Sequence, residues 1–281
     1  MRIPALGQIG HPAPAWLLLG VVAQLASLVA YALVVRRLLA VGGVVGRVPG
    51  LLRTTVAGIA MGASLPGGQA LSTAYWYKQL RKAGAERGVA ALALAGAMLA
   101  GVVSLGALFV VGVAAAGNAG PLAGARLFIL AAAGSLVVLR LAFGRTLAGA
   151  TRTLLRRFVP ALPDKAAVGR RNLVVVGGFA CLNWLLDCAT LVCALEAIHA
   201  TVAPASVLIV YALAQLVASL PLLPGGGGTV ELSLSLGFAA FGHTSGHVVA
   251  GVLLFRVISC WGLVPLGWLA VALEGRRGRR A

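Results

Sequence analysis

Charged side chains are scarce in this chain of 281 residues: they make up 10% of it, and only six of them are acidic. Aromatic residues are also few, at 6%, whereas hydrophobic residues reach 60% and the mean hydropathy is +0.99. A soluble domain carries about 25% charged residues, so this composition excludes an ordinary soluble fold. The apolar residues form blocks of about 20 residues or more, which is the length of a transmembrane helix. The sequence therefore predicts an all-α polytopic membrane protein.

Cysteine is rare as well, and its placement argues against a disulfide framework or a zinc site. The four cysteines all lie inside apolar blocks and form no C-x-x-C pair, so we interpret them as small buried hydrophobic residues. His243 and His247 are spaced i, i+4 but have no third ligand near them in sequence. The glycine run at 225–228 lacks the Lys-Ser/Thr of a nucleotide-binding P-loop. We therefore expect no metal and no cofactor.

The charges that are present are mostly basic: 23 Lys and Arg against six Asp and Glu give a net charge of +17. They cluster in short loops between apolar blocks and in the C-terminal tail, while the loops at 113–121 and 198–201 contain no Lys or Arg. This positive-inside pattern makes anionic membrane lipids the natural partner and argues against nucleic acid. It predicts an external N-terminus and a cytoplasmic C-terminus. The excess of arginine over lysine, with abundant alanine and glycine, is typical of a GC-rich bacterial genome. For a multi-pass α-helical protein of a bacterium we expect the cytoplasmic (inner) membrane.

About five apolar blocks are long enough to be full spans. Their bounds are 15–35, 89–112, 122–143, 173–197 and 247–273. A basic cytoplasmic loop, 144–172, joins two repeat-like halves at about 15–143 and 173–273. We interpret residues 1–281 as a single transmembrane domain.

Two further apolar segments, 51–77 and 202–241, are broken by proline and glycine. The motif Leu-Pro-Gly-Gly occurs in both, at 65–68 and at 223–226. Proline removes a backbone donor and glycine has little helical preference, so such a break is tolerated in a membrane only where it is buried in protein or lines a cavity. Paired breaks in the two halves of a membrane protein indicate a transport site.

The flanking charges predict how these two broken segments enter the membrane. Basic clusters at both ends of 51–77 predict a re-entrant hairpin from the cytoplasm. The segment 202–241 follows an external loop, which predicts a hairpin from the outside. Alternatively, 202–223 crosses the membrane and the short limb after the break returns as a tilted helix. Either arrangement predicts a degenerate inverted repeat whose two breaks approach the midplane from opposite sides.

Ionisable residues inside the apolar blocks are candidate site residues, because they are costly in a membrane. Glu231 opens the helix after the second break, where it caps that helix or contacts a cationic headgroup. Arg256 in the last span needs an anion, which is Glu231, Asp187 or a lipid phosphate. Asn183 and Asp187 share one helical face at i, i+4 and either bind substrate or form hydrogen bonds between helices.

The two breaks also supply free backbone amides. Unpaired amides at the start of a half-helix carry partial positive charge and suit a phosphate or a carboxylate. The candidate substrate-binding residues of this kind are Gly225, Gly226, Gly227, Gly228 and Thr229 at the second break, and Pro66, Gly67, Gly68 and Gln69 at the first.

Four motifs together resemble the lysylphosphatidylglycerol synthase/flippase transmembrane-region family. They are LPGGQ at 65–69, NWLLD at 183–187, PLLPGGGGTVE at 221–231, and Phe255-Arg256 before a last span that contains Pro265. The resemblance covers roughly residues 15–270. Its most specific part is the proline/glycine-to-glutamate motif with an arginine some 25 residues later. Family members named for lysyl-lipid synthesis append a soluble aminoacyl-transferase domain, so we expect no synthase activity from this chain.

The resemblance implies movement of a phospholipid, or of an amino-acyl, glycosyl or polyprenyl lipid, between membrane leaflets. The chain is then a lipid transporter and not an enzyme, with charged-headgroup lipids as partners and either a homo-oligomer or a synthase complex as its assembly. Two alternatives stay open. One is an integral membrane enzyme that modifies a lipid headgroup with the site carboxylates as bases, and the other is a non-catalytic membrane subunit of a lipid or glycan synthesis complex.

Overall fold

The structure is a computed structural model that describes residues 12–117, 121–127, 129–133, 169–219 and 228–277. Within those ranges all regular secondary structure is helical. The main helices are α1 (Pro14–Val41), α2 (Val48–Ser64), α3 (Gly68–Lys82), α4 (Arg87–Ala116), α5 (Arg170–Ala197), α6 (Pro204–Ser219), α7 (Thr229–Ala240), α8 (Gly246–Arg256) and α9 (Leu263–Arg277).

Several of these helices are long and apolar enough to cross a membrane. In the described part of the chain they are Pro14–Val41, Arg87–Ala116, Arg171–Ala197 and the continuous helix Gly246–Glu274. Each corresponds to one predicted span, which confirms the prediction of an all-α polytopic membrane protein. Half of the fifth predicted span, 122–143, lies outside the described residues, as does most of the basic loop 144–172.

Helices α1 and α5 lie antiparallel and form the most extensive helix pair. They approach closely at Gly20, where an added Cβ would lie 3.3 Å from Cβ of Cys193. Thr190 Oγ1 donates to the carbonyl oxygen of Gly20 at 3.3 Å, and Ala13 N donates to the carbonyl oxygen of Ala197 at 2.8 Å. Small residues and hydroxyl bonds are typical of membrane helix interfaces, because lipid provides no hydrophobic drive between helices.

The first broken segment forms two helices, α2 and α3. Gly67 adopts a left-handed conformation between them, with φ of 68°. Gly68 follows so close to α2 that an added Cβ would lie 2.2 Å from the carbonyl oxygen of Met61. Leu51 near the start of α2 and Leu80 near the end of α3 belong to the same apolar core. The chain therefore enters and leaves this segment at one end of the molecule.

The second broken segment also contains two described helices, α6 and α7. Helix α6 ends at Ser219, and α7 begins after Gly228, which is left-handed with φ of 94°. Residues 220–227 between them, which include Pro224, lie outside the described residues. Val207 of α6 and Phe238 of α7 share an apolar core with Ile198 after α5. This segment therefore begins and ends beside the C-terminal end of α5, opposite the first one.

A π-helix, Val257–Trp261, joins α8 to α9 immediately after Arg256. The sequence accounts for its position, because Pro265 has no N–H to donate to the carbonyl of Trp261 four residues earlier. Restarting the helix at Leu263 places Pro265 in the first turn of α9, where proline is tolerated. Such π-bulges are frequent at functional sites, and the sequence analysis did not predict this one.

The two halves pack on each other reciprocally. Helix α2 makes its most extensive contacts with α9, and α6 makes its most extensive contacts with α4. A glycine lies at each contact: an added Cβ on Gly267 would lie 2.4 Å from the carbonyl oxygen of Val56, and one on Gly112 would lie 2.9 Å from Cγ1 of Ile209. The first limb of each broken segment thus packs on a long helix of the other half.

Candidate functional site

Glu231 and Arg256 form an ion pair inside the helical body. Nε of Arg256 donates to Oε1 of Glu231 at 2.7 Å. The side chains of Arg256 and Glu231 are 12% and 16% exposed. Removing one partner of a pair so shielded from water leaves an uncompensated charge, which is strongly destabilising. Glu231 is therefore the anion that Arg256 was expected to need.

The same carboxylate also caps helix α7. The amide N of Gly228 donates to Oε2 of Glu231 at 3.0 Å, so the side chain at the third helical position reaches back to the residue before the helix. An anion at this end also complements the helix dipole. Of the two roles weighed from the sequence, the helix cap is present, and the cation that Glu231 contacts directly is Arg256.

A second polar centre surrounds Asp187, which is buried and only 8% exposed. The hydroxyl of Tyr211 donates to its Oδ2 at 2.6 Å, and Nε2 of Gln215 donates to the same oxygen at 3.2 Å. Gln24 of α1 also lies within hydrogen-bonding reach of the carboxylate. These three partners are neutral, so Asp187 is held by hydrogen bonds and not by a bonded cation.

Tyr211 is fixed by aromatic packing as well as by its hydroxyl. Its ring makes edge-on contacts with Trp184 and with Phe255, at centroid distances of 6.4 Å in both cases. Trp184 is anchored in turn, because its Nε1 donates to the carbonyl oxygen of Gly101 at 3.1 Å. The fully buried tyrosine therefore holds its hydroxyl on Asp187 in one orientation.

Arg256 connects the two centres. Its guanidinium is bonded to Glu231 and lies within electrostatic range of Asp187. Cys260, one turn later in the π-helix, lies within range of all three charges. We call Asp187, Glu231 and Arg256 the charged cluster. With both acids ionised, one positive and two negative charges give it a net charge of −1, so it is one positive charge short of neutrality.

Of the other predicted site residues, Gly228 contacts the charged cluster through its amide. The side chains of the rest make no hydrogen bond to it among the described residues, or lie outside them. Asn183 is engaged between helices, because Oγ of Ser27 donates to its Oδ1 at 3.1 Å. Thr229 opens α7 next to Gly228, as predicted. The remaining residues of the glycine run, Gly225, Gly226 and Gly227, lie outside the described residues.

The first break, with Pro66, Gly67 and Gly68, lies against α2 and α9. Gln69 packs near Gly62 of α2, and Nε1 of Trp268 donates to Oγ of Ser64 at 3.1 Å. Trp268, which contacts Ser64 beside the first break, lies twelve residues after Arg256. At a helical rise of 1.5 Å per residue this separation is about 18 Å, so the first break lies apart from the charged cluster. The expectation that the two breaks face each other stays a prediction, because most of the second one lies outside the described residues.

Sequence reasoning missed the neutral part of the site. Tyr211 and Gln215 are spaced i, i+4 in an apolar helix, and Gln24 is an isolated amide in the first span. A polar side chain inside an apolar span is the signal that would have found them, since it needs a partner on a neighbouring helix.

A third polar contact was also missed, and it lies away from the charged cluster. The hydroxyl of Tyr75 donates to Oε2 of Glu274 at 2.7 Å, and Gln79 donates to the same oxygen. This contact holds α3 of the first broken segment on α9. We assign it a structural role.

Comparison with known proteins gives two matches. The family model described as the lysylphosphatidylglycerol synthase TM region matches residues 5–267. The chain is also 34% identical over 96 residues to a UPF0104 membrane protein of Methanothermobacter thermautotrophicus. That alignment covers 34% of this chain and 29% of the relative, so the chain matches well under two thirds of the relative's length.

Proposed function

Because the chain belongs to the family of lysylphosphatidylglycerol synthase transmembrane regions, we propose that it moves a phospholipid or a modified lipid between the leaflets of a bacterial cytoplasmic membrane. The observation that carries this proposal is the charged cluster, which lies inside an apolar helical body at the start of a broken helix. Ionisable groups in such a place mark a substrate or ion path by default.

The cluster suits a headgroup that contains both a phosphate and a cation. Backbone amides at the N-terminus of a helix favour a phosphate, and the glycine run predicted to bind one precedes α7. The two acids of the charged cluster, Asp187 and Glu231, together exceed the charge of Arg256. A zwitterionic or amino-acylated phospholipid supplies an anion for the amides and a cation for the surplus carboxylate.

We also propose that the two halves form an inverted repeat, with a broken helical hairpin in each. Both second limbs begin after a left-handed glycine, Gly67 in one half and Gly228 in the other. The reciprocal packing of α2 on α9 and of α6 on α4 supports the same relation. Such a repeat allows one half to rock against the other and expose a central site to each side in turn.

The membrane orientation that fits this proposal has the N-terminus outside and the C-terminus in the cytoplasm. The basic residues at the ends of α1, α3 and α9 then face anionic lipid headgroups. The loops after α5 and α7 face outward. In this orientation the first hairpin enters from the cytoplasm and the second from the outside.

Purified protein in lipid vesicles tests the proposed transport directly. Fluorescently labelled phosphatidylethanolamine, lysylphosphatidylglycerol, phosphatidylglycerol and a glycolipid are each placed in both leaflets, and an impermeant reductant bleaches the outer leaflet. We expect labels in the inner leaflet to become accessible faster with the protein than in empty vesicles, and fastest for the headgroups that carry a cation.

Matched variants separate transport from a nonspecific leak. Glu231→Gln and Arg256→Gln should slow bleaching, while Glu196→Gln, an exposed carboxylate at the end of α5, should leave it unchanged. Mass spectrometry of the same vesicles detects a modified lipid. A new lipid product would support an enzyme instead, and neither movement nor product would support a non-catalytic membrane subunit.

A further inference from the structure

We propose that Asp187 is a proton-binding site, and that its proton exchanges with the cationic part of the lipid headgroup during transport. The inference rests on the proposed function, which it deepens by naming the coupling ion. It starts from the charge balance of the charged cluster, which is one positive charge short of neutrality. A net charge in a low-dielectric interior is costly, so a proton or another cation must balance it.

The surplus negative charge belongs to Asp187 and not to Glu231. Glu231 is bonded to the guanidinium of Arg256 at 2.7 Å and to a backbone amide. Asp187 is enclosed by neutral groups and has Arg256 only at longer range. Neutralising Asp187 therefore removes the unbalanced charge without breaking an ion pair.

The hydrogen bonds around Asp187 suit a proton better than a metal ion. Tyr211 and Gln215 of α6 both point hydrogens at Oδ2, and these donors would repel a metal cation that requires oxygen ligands. A proton on the other oxygen, Oδ1, leaves both bonds intact. The titratable groups nearby are Cys188 on the same helix, Cys260 after α8, and the bonded Tyr211.

Gln24 supplies a second and independent observation. Its side chain is 4% exposed and lies within hydrogen-bonding reach of Asp187. Its Oε1 is buried and, among the described residues, has no hydrogen-bond partner. An unsatisfied buried acceptor costs about 1–3 kcal/mol. A protonated Asp187 would provide the missing donor once the Gln24 amide turns over, because its O–H can then bond to the amide oxygen.

The exchange is balanced in atoms and charge. The neutral acid of Asp187 and an ammonium headgroup give a carboxylate paired with that ammonium, and one proton leaves to water. Release of the lipid on the other side of the membrane lets Asp187 take up a proton there. Lipid therefore moves in one direction while a proton moves in the other.

Proton release on binding provides a test that does not depend on transport. Lysylphosphatidylglycerol is added to the purified protein in weakly buffered detergent solution, and the proton yield is followed with a pH indicator. We expect about one proton per bound lipid for the unmodified chain, by linkage. Asp187→Asn, which keeps an acceptor oxygen for Tyr211 and Gln215, should bind lipid with no proton release. Glu196→Gln serves as the matched control with unchanged yield.

Vesicles with an imposed pH gradient test the coupling itself. The gradient should accelerate lipid movement in one direction for the unmodified chain and for Asp187→Glu, which keeps a titratable acid. It should have no effect on Asp187→Asn, and a sodium gradient should have no effect on any of them. An equal response of Asp187→Asn to the pH gradient would overturn the inference, whereas absence of lipid movement in the unmodified chain would overturn the proposed function.

Discussion

At the scale of single residues, the pair between Glu231 and Arg256 combines a helix cap with a charge pair shielded from water. We expect Glu231→Gln and Arg256→Gln each to lower the free energy of unfolding by about 3 kcal/mol, because each leaves the partner charge uncompensated. The double variant should lose less than the sum of the two. Thermal unfolding in detergent measures all three against Glu196→Gln as the exposed control.

A double loss equal to the sum would contradict the direct pairing of Glu231 with Arg256. Such additivity is expected only for sites that share no partners. The comparison remains valid even if each single variant also impairs transport, since it depends on unfolding alone.

Tyr211 gives a second prediction at this scale. Tyr211→Phe removes the hydroxyl that donates to Asp187 but keeps the ring between Trp184 and Phe255. We expect a loss of about 0.5–1.5 kcal/mol, the usual net value of a hydrogen bond, because the inferred proton leaves Asp187 neutral in the lipid-free protein. Tyr77→Phe, in the first broken segment, is the control and should change stability much less. A larger loss at Tyr77 would contradict the importance of the Asp187 centre.

At the scale of helices, close packing at glycine holds the first limb of each broken segment on the other half. Gly267→Ala places a Cβ 2.4 Å from the backbone carbonyl oxygen of Val56, so α9 must move away from α2. We expect a loss of about 1–3 kcal/mol, as is usual for overpacking. Gly106→Ala in α4 meets open space and should be neutral or stabilising, since alanine favours the helix. Unfolding temperatures of the two variants check this prediction.

The two left-handed glycines allow a further prediction for the helices that they start. Gly67→Ala and Gly228→Ala force a side chain into positive φ, at 68° and 94°, and should each cost about 1–2 kcal/mol. Asparagine at position 67 should recover part of that loss, because it tolerates the left-handed region. Gly50→Ala in α2, which meets nothing within 4 Å, is the control. If Gly67→Ala and Gly228→Ala were as stable as the control Gly50→Ala, the left-handed conformation of the two glycines would be contradicted.

At the scale of the whole molecule, the proposed inverted repeat predicts that the two broken segments open to opposite sides. In a background without the native cysteines, Lys82→Cys at the end of α3 and Thr244→Cys after α7 should react with an impermeant thiol reagent from opposite sides of the membrane. The reason is that the two hairpins lie at opposite ends of the antiparallel pair α1 and α5. Labelling of both positions from one side in right-side-out vesicles would contradict this arrangement.

The sequence by itself determined the class of fold and limited the candidate partners of Arg256. Long apolar blocks can cross a membrane only as helices with all backbone groups satisfied, so composition was sufficient to predict α1, α4, α5 and the α8–α9 helix. Proline and glycine at 65–68 cannot continue a helix, which placed the break between α2 and α3. An arginine in an apolar span requires an anion, and few acids were present, so Glu231 was one of three candidate partners of Arg256.

Only the tertiary structure decided how these elements meet. The neutral groups around Asp187 come from α1 and α6, which are far apart in sequence, so no local pattern links Gln24 to Tyr211 and Gln215. The reciprocal packing of α2 on α9 and of α6 on α4 depends on glycines whose close contacts exist only between helices. The π-helix after Arg256 likewise depends on the tertiary structure. Pro265 removes one backbone hydrogen bond, and the packing of the last span keeps the chain helical on both sides of it. Local propensity fixes where a helix starts and stops, whereas the partner of a buried polar group is set by which helices pack side by side.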